Sequence, residues 1–557
     1  MTAVLGPATM VAVVAVLTLA ALGAARTPLA TSALARLDAF CERRALAIGV
    51  CALLAFVGSA AVSLLVEWPV PVVHDEMSYV LAGETFAAGR LANPTHDHWQ
   101  HFETFYVFHE PTYASRFPPA QGLALALGQV LASSQVVGLW LSGAFMVAAV
   151  CWALFRFVDP RWAFLMGVAT ACQVGIATYW TQSFWGGAVA AAGGALLLGG
   201  VVTLTVAGSA RHGAIAAVGL LILANSRPFE GAVISLGPAL VLLGALLRGR
   251  LAPRALVPGM AVFVAGLVAM GAYNARVTGN VWELPYLHYE SMYMERPLLS
   301  FQHGFGSHEF RHDEMRRYHQ VPEGGADHDA AQAARRWFIS PWRLDISREF
   351  LLGRVLVVPF LFGLVVCVGD RRLRYPASML LAAIVATVFM PYYKPHYLAP
   401  VTVAVYAVVA IGMQRLSAVR LGGVAWGGAI AAALLASVCV STVPKAARIP
   451  HMQEVRGYAA FARARADVVS ELNEQPGKDL VIVRYGADHK LHREWVYNRA
   501  DIDAADVVWA RDMDEARNAS LLDYFSDRDA WILAVGFDDG RDGLLSYGDA
   551  AAPPRRD

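Results

Sequence analysis

Residues 46–79 read LAIGVCALLAFVGSAAVSLLVEWPVPVVHDEMSY. The first part is an apolar run that ends at Trp68, about the 20 residues that carry a helix across hydrocarbon. A few residues on comes His74-Asp75-Glu76-Met77-Ser78-Tyr79, two adjacent carboxylates at the mouth of that helix. Acids beside lipid are costly to keep without a partner or a task. Facing water, such a group can take a proton from a substrate held at the membrane. The stretch therefore predicts a membrane protein, and an enzyme in preference to a passive one.

Working outward, the rest of the chain agrees. Of its 557 residues 57% are hydrophobic and 16% charged, with a mean hydropathy of +0.45, too apolar for a soluble protein of this size. The net charge of +1 gives no reason to expect nucleic acid as a partner. The six cysteines show no metal-ligand spacing and are expected to be unpaired. Apolar windows predict about twelve spans, near 8–25, 46–67, 136–156, 163–180, 184–206, 213–225, 229–247, 256–273, 350–368, 376–390, 398–414 and 422–441. The first lacks a basic segment before it and is read as a retained helix, with a signal peptide as the other reading.

Six short connections (26–45, 156–161, 207–212, 248–254, 370–374 and 415–420) hold fifteen Arg and no Lys against four acids. The positive-inside rule makes them cytoplasmic. Both termini then lie outside, with residues 68–135, 274–349 and 442–557. Of sixteen histidines only His212 falls on the cytoplasmic side. Either only the outer loops have room for polar residues, or chemistry takes place there.

The expected fold is mainly α, a polytopic membrane protein with a small C-terminal α/β soluble domain. Residues 1–45 form an extra N-terminal helix and loop, 46–442 a transmembrane domain with outer loops 68–135 and 274–349, and 443–557 an extracytoplasmic domain. In the first loop, Tyr79, Val80, Gly83 and Phe86 predict a surface helix over 76–86. After Pro118-Pro119, residues 122–131 are too short to cross and predict a juxtamembrane helix. In the tail, 480–485 and 531–535 read as buried strands with a helix between them over 512–524.

A membrane helix, an outer loop opening with Asp-Glu-x-x-Tyr (Asp75–Tyr79), a surface helix, and Arg116-Phe117-Pro118-Pro119 before another helix resembles the C-type (GT-C) membrane glycosyltransferases. In layout it is similar to the protein O-mannosyltransferases and the lipid A aminoarabinose transferases, over roughly residues 46–415. The resemblance implies a polyprenyl-phosphate sugar donor and inverting transfer, outside the cytoplasmic (inner) membrane, to a lipid, glycan or protein acceptor. It maps the first loop acid onto Asp75, with Glu76 adjacent, and the basic residue before the prolines onto Arg116. Many relatives have a second acid after the next pair of spans. Here that stretch is Tyr179-Trp180-Thr181-Gln182-Ser183-Phe184-Trp185, leaving Gln182 as a polar substitute and putting a metal bridged by two acids in doubt. No cofactor is called for with certainty, and a divalent metal stays open.

Such a transfer needs a base for the acceptor and cations for the departing phosphate. Asp75 is the expected base, with Glu76 as its catalytic neighbour; the plainer readings are a helix N-cap for Asp75 and a solvent-facing Glu76. Arg116, Arg227, Lys394 and His396 are the expected phosphate ligands. Arg227 has an ion pair with Glu230 as its alternative, and Lys394 a role as a membrane-border anchor. Tyr79, His109, Gln182, Tyr392 and Tyr393 are expected to contact substrate. The groups His96, His98, His101, His109, Glu110 and His303, His308, His312, Asp313 lack the spacing of a zinc site. Trp99, Tyr106, Tyr113, Tyr286, Tyr289 and Tyr293 either stack on sugars or form an interfacial belt. In the tail, Arg484, Tyr485, Trp495, Tyr497 and Asn498 are candidate contacts to acceptor or partner.

A transporter or flippase is the main rival, but its ionisable groups belong near the bilayer midplane in two matching halves. The charges here cluster at helix ends, and the halves do not correspond. A scaffold would leave Asp75-Glu76 without a task. A ligase of a lipid-linked glycan shares the architecture and stays open as an alternative.

Overall fold

The computed structural model describes residues 7–24, 27–295, 299, 301–302, 306–320, 341–366, 368–390, 393–450, 458–474, 476–536 and 543–547. Each of the twelve apolar stretches carries helix. Among the described residues, seven helices are long and apolar enough to cross a membrane, and nine if two bent pairs are each one span. The difference from twelve lies in 160–175, 210–224 and 374–388, where helix runs for 16 residues or fewer. At 1.5 Å per residue, 15 residues reach only about 22 Å.

The helices sort by what surrounds them. Leu236, Leu240, Leu243 and Leu247 all face outward on Pro228–Leu247, an apolar stripe that needs lipid against it. Pro395–Ser417 is its opposite, with 94% of its apolar window enclosed by protein. Ala188–Ala207 packs on that central segment through small residues. At Gly194 the approach is so close that a Cβ would stand 1.9 Å from the Pro400 carbonyl oxygen. This contact fixes the turn that begins at Pro395 and so sets where Lys394 and His396 lie.

At one end of the bundle the long connections gather with the C-terminal sheet to form a loop face. The first begins with the helix His74–Ala87, which packs against Pro119–Ala132, both close to expectation. Between them Val107–Phe108 pairs antiparallel with Ala114–Ser115. These two-residue strands are too short to leave a sequence signal. The second connection contributes Pro285–Tyr293 and Asp313–Gln320. The tail forms a four-stranded sheet in the order Val507–Arg511, Asp479–Tyr485, Asp529–Val535, Gly543–Ser546, the first three parallel and the last antiparallel. Two of its strands and the helix Glu515–Tyr524 match the expected α/β pattern. The five described cysteines are free.

Candidate active site

Asp75 is the second residue of the His74–Ala87 helix, inside its first turn; the N-cap is Val73. The capping reading of Asp75 therefore gives way. The capping work falls to Glu76, whose Oε2 accepts from the Val72 and Val73 amides at 3.0 and 3.3 Å. Its Oε1 accepts from the Phe184 amide at 3.1 Å. Glu76 is 3% exposed and ties the start of this helix to the 183–187 turn. Burial pushes its carboxyl up to about 7 against the pull of those three amides. Replacing Glu76 by Ala strands three buried donors, each costing roughly 1–3 kcal/mol. Glu76→Ala is expected to lower thermal stability in detergent by about 3 kcal/mol; an unchanged unfolding midpoint would refute this bracing role.

Three cations expected from sequence act on Asp75. Arg116 follows the Ala114–Ser115 strand, held by its amide bond to the Tyr106 carbonyl at 3.1 Å and by the Ser78–Ser115 hydroxyl pair at 2.7 Å. Arg227 ends the turn before Pro228–Leu247. Lys394 precedes the turn Pro395–Val401. Burial raises the Asp75 carboxyl above its ordinary range, while Arg116, its own backbone amide, Arg227 and Lys394 pull it back. All three cations thus act on one carboxylate. Hydrogen bonds close the ring: the Ala120 amide donates to the Asn225 carbonyl at 2.9 Å, and Gln121 Nε2 to the Phe184 carbonyl at 3.2 Å. A crevice there is lined by Tyr79, Pro118, Gln121, Gly186, Ser226 and Arg227.

Arg116 is buried in a cage of rings. Its guanidinium lies 3.7 Å from the Tyr106 centroid, 5.0 Å from Tyr286 and 5.1 Å from Tyr289 and Phe117. Tyr106 itself has φ 62°, a left-handed conformation that costs a non-glycine residue on the order of 1–2 kcal/mol. It is held there by the Tyr289 hydroxyl, which accepts from the Tyr106 amide at 2.8 Å, and by the Tyr318 hydroxyl, which donates to the Tyr106 hydroxyl at 2.7 Å. Arg227 stands over the Tyr397 ring at 4.9 Å. Among the described residues it makes no ion pair with Glu230 within 4.0 Å, although the two charges act on one another.

The other expected contacts divide. Tyr79 is in the cluster, stacked on Phe117 at 4.3 Å and subject to the charges of Arg227, Asp75 and Arg116. His396 is buried, with Nδ1 3.1 Å from the Tyr179 hydroxyl. Gln182 is fully engaged in the framework: Oε1 accepts from Ser63, and Nε2 donates to Ser59 and to the Ile176 carbonyl at 2.9–3.2 Å. Tyr393 is bonded to Ser347. His109 lies between Trp99 and Tyr113, its ring centroid 6.1 and 4.8 Å from theirs. Tyr392 and His303 lie outside the described residues. Among the described residues no group of three His, Cys, Asp or Glu is placed to hold a metal ion.

The C-terminal domain closes one side, through Tyr497, expected from the sequence as a contact, and through His492 and Arg511, which the sequence reading did not single out. The Tyr497 hydroxyl lies 3.1 Å from His74 Nδ1 and donates to the Phe105 carbonyl at 2.9 Å. His492 stacks on His74 at 5.3 Å. Burial, and after it the neighbouring His492, His319, His489 and Arg511, hold the His74 imidazole well below its usual range. Arg511, 1% exposed, donates to the Glu103 carbonyl at 2.6 Å and pairs with Glu494 at 2.7 Å and Glu314 at 3.4 Å. Arg484 pairs with Asp512, Tyr485 bonds Glu494, Trp495 is core, and Asn498 bonds the Trp509 backbone.

No protein-family model matches the sequence, and no curated protein matches it significantly. Solved structures do. ArnT from Cupriavidus metallidurans, bound to undecaprenyl phosphate, superimposes with a TM-score of 0.51 at 13% identity, over 88% of this chain and 93% of that one. The Archaeoglobus fulgidus oligosaccharyltransferase AglB, in complex with an inhibitory peptide and a dolichol-phosphate, gives a TM-score of 0.44 at 12% identity, over 88% of this chain and 69% of its own. A structure of the same archaeal enzyme with Zn and sulfate gives 0.46 at 12% identity, over 87% and 67%. The chain spans about two thirds of the archaeal enzyme's length and nearly all of ArnT. The chain, a helix bundle with a small sheet near its C-terminus, has an ArnT-like GT-C fold.

Proposed function

We propose that this chain is an integral membrane glycosyltransferase that moves a sugar from a polyprenyl-phosphate donor to an acceptor hydroxyl or similar group on the outer face of the inner membrane. The observation that carries the reading is one half-buried carboxylate, Asp75, under the combined pull of Arg116, Arg227 and Lys394. The likeness of the fold to ArnT, which was solved with undecaprenyl phosphate, supports the same donor class.

In the proposed step the acceptor oxygen attacks the anomeric carbon as the bond from that carbon to the phosphate oxygen breaks. The acceptor's proton passes to Asp75. The bonding pair leaves on the phosphate, where the three cations meet the charge as it develops. Attack from the face opposite the phosphate inverts the anomeric centre. A polyprenyl phosphate leaves without being protonated, so one carboxylate suffices.

The test offers purified protein a panel of polyprenyl-phosphate sugars together with an envelope extract as acceptor. Release of free polyprenyl phosphate that depends on both donor and extract is the expected result. No release from any donor would sink the reading.

A further inference from the structure

The helix Pro285–Tyr293 carries a buried acid that this reaction does not use. Glu290 is 1% exposed, and neither of its carboxylate oxygens has a hydrogen-bond partner. Arg116 is in the same condition: 5% exposed, with Nε and Nη1 unpartnered. Each charge acts on the other, yet no hydrogen bond joins them. Tyr286 precedes Glu290 by one turn on the same helix face, and its ring lies 5.0 Å from the Arg116 guanidinium.

A buried carboxylate left unpaired is strongly unfavourable, and so is a buried guanidinium. Packing alone gives no reason to keep both, since a glutamine or a leucine would serve the core better. A ligand with an anionic end and a cluster of hydrogen-bond donors next to it would satisfy both groups at once. A sugar phosphate has that form: its phosphate adjoins a ring bearing hydroxyl or ammonium donors. Polar groups that fix a ligand's orientation are few and are placed against aromatic walls, as Glu290 is beside Tyr286.

We propose that Glu290 and Tyr286 form the sugar subsite: the Glu290 carboxylate accepts hydrogen bonds from the ring's hydroxyl or ammonium donors, the Tyr286 ring packs against its C–H face, and Arg116 takes the phosphate. This rests on the donor class proposed above. Glu290 is a binding residue in this scheme, and Asp75 keeps the proton transfer.

The discriminating measurement compares Glu290→Gln with wild type for binding of a polyprenyl-phosphate sugar and of bare polyprenyl phosphate, both in detergent. The expected result is that the sugar-bearing lipid binds roughly 10- to 100-fold more weakly, as for a lost hydrogen bond to a charged group. Bare polyprenyl phosphate should bind no more weakly than in wild type, since the change removes a negative charge near Arg116. A donor deoxygenated around the ring should already bind weakly to wild type and lose little more in the variant. Equal binding of both lipids by wild type and variant would overturn the subsite. Equal weakening of both would overturn it too, by showing that Glu290 acts only through Arg116 or the fold. Glu290→Asp, which keeps the charge but shortens the reach, serves in the same comparison if the Gln variant does not fold. Wild type that binds bare polyprenyl phosphate but no sugar-bearing form would fail the donor assignment itself, a different result from a wild type that discriminates while Glu290→Gln matches it.

Discussion

Asp75→Asn is expected to lower donor-dependent release of polyprenyl phosphate by roughly 10³-fold, within the range for loss of a general base, while the protein still folds and binds bare polyprenyl phosphate. Asparagine keeps the shape and the helix position but cannot accept the acceptor's proton. The sign of the pH dependence follows from burial. Asp75 must be ionised to act, and its carboxyl is held above the ordinary 3.8 because burial outweighs the pull of Arg116, its own amide, Arg227 and Lys394. Activity should therefore climb as pH rises through that elevated value, and the acid limb should vanish in what activity Asp75→Asn retains. Arg116→Gln removes the largest opposing charge, so its acid limb should move to higher pH. A limb that stays in place would separate Asp75 from the titration, and an Asn variant with wild-type turnover would remove it from the chemistry.

The expected helices were legible because lipid leaves the backbone no other partner than itself. A stretch such as 229–247 has one secondary structure open to it, and its caps and proline follow. What hydropathy counts less well is length: 213–225 reads as a span, yet its helix holds 15 residues. The cations were legible for a related reason. Arg227 and Lys394 stand at helix ends, and Arg116 between a short strand and the helix Pro119–Ala132, where a charge is conspicuous beside apolar sequence.

The roles of neutral polar residues were less legible, since these depend on who stands opposite. Gln182 sits in the segment where a second acid was sought, but Ser59, Ser63 and Ile176 occupy its amide. His109 drew notice as part of a histidine-rich run and proves to be packed between rings. Glu290 drew none, although Tyr286 and Glu290 at helical spacing were there to be read. The pairing of Arg511 with Glu494 was beyond reach, because nothing local in either segment announces that both are buried.

That pair carries the second large effect. Arg511→Met is expected to destabilise the protein by about 3–5 kcal/mol, the usual result of removing one partner from a buried ion pair. Glu494 is 1% exposed and would lose the guanidinium that pairs with it. The same change frees the Glu103 carbonyl and Glu314, so the C-terminal sheet loses its hold on both loops at once. Release of polyprenyl phosphate should fall with stability, because Tyr497 and His492 pack on His74, the residue next to Asp75. Limited proteolysis should then cut within 458–536 sooner than in wild type. The double variant Arg511→Met with Glu494→Gln decides the cause. Glutamine still accepts from Tyr485 and the Val496 amide, yet leaves no uncompensated charge, so most of the lost stability should return. If the double variant is no more stable than Arg511→Met alone, the penalty comes from lost packing and not from the stranded carboxylate. If Arg511→Met is as stable as wild type, the seam does not hold the sheet to the loops, and the C-terminal domain has no part in shaping the site.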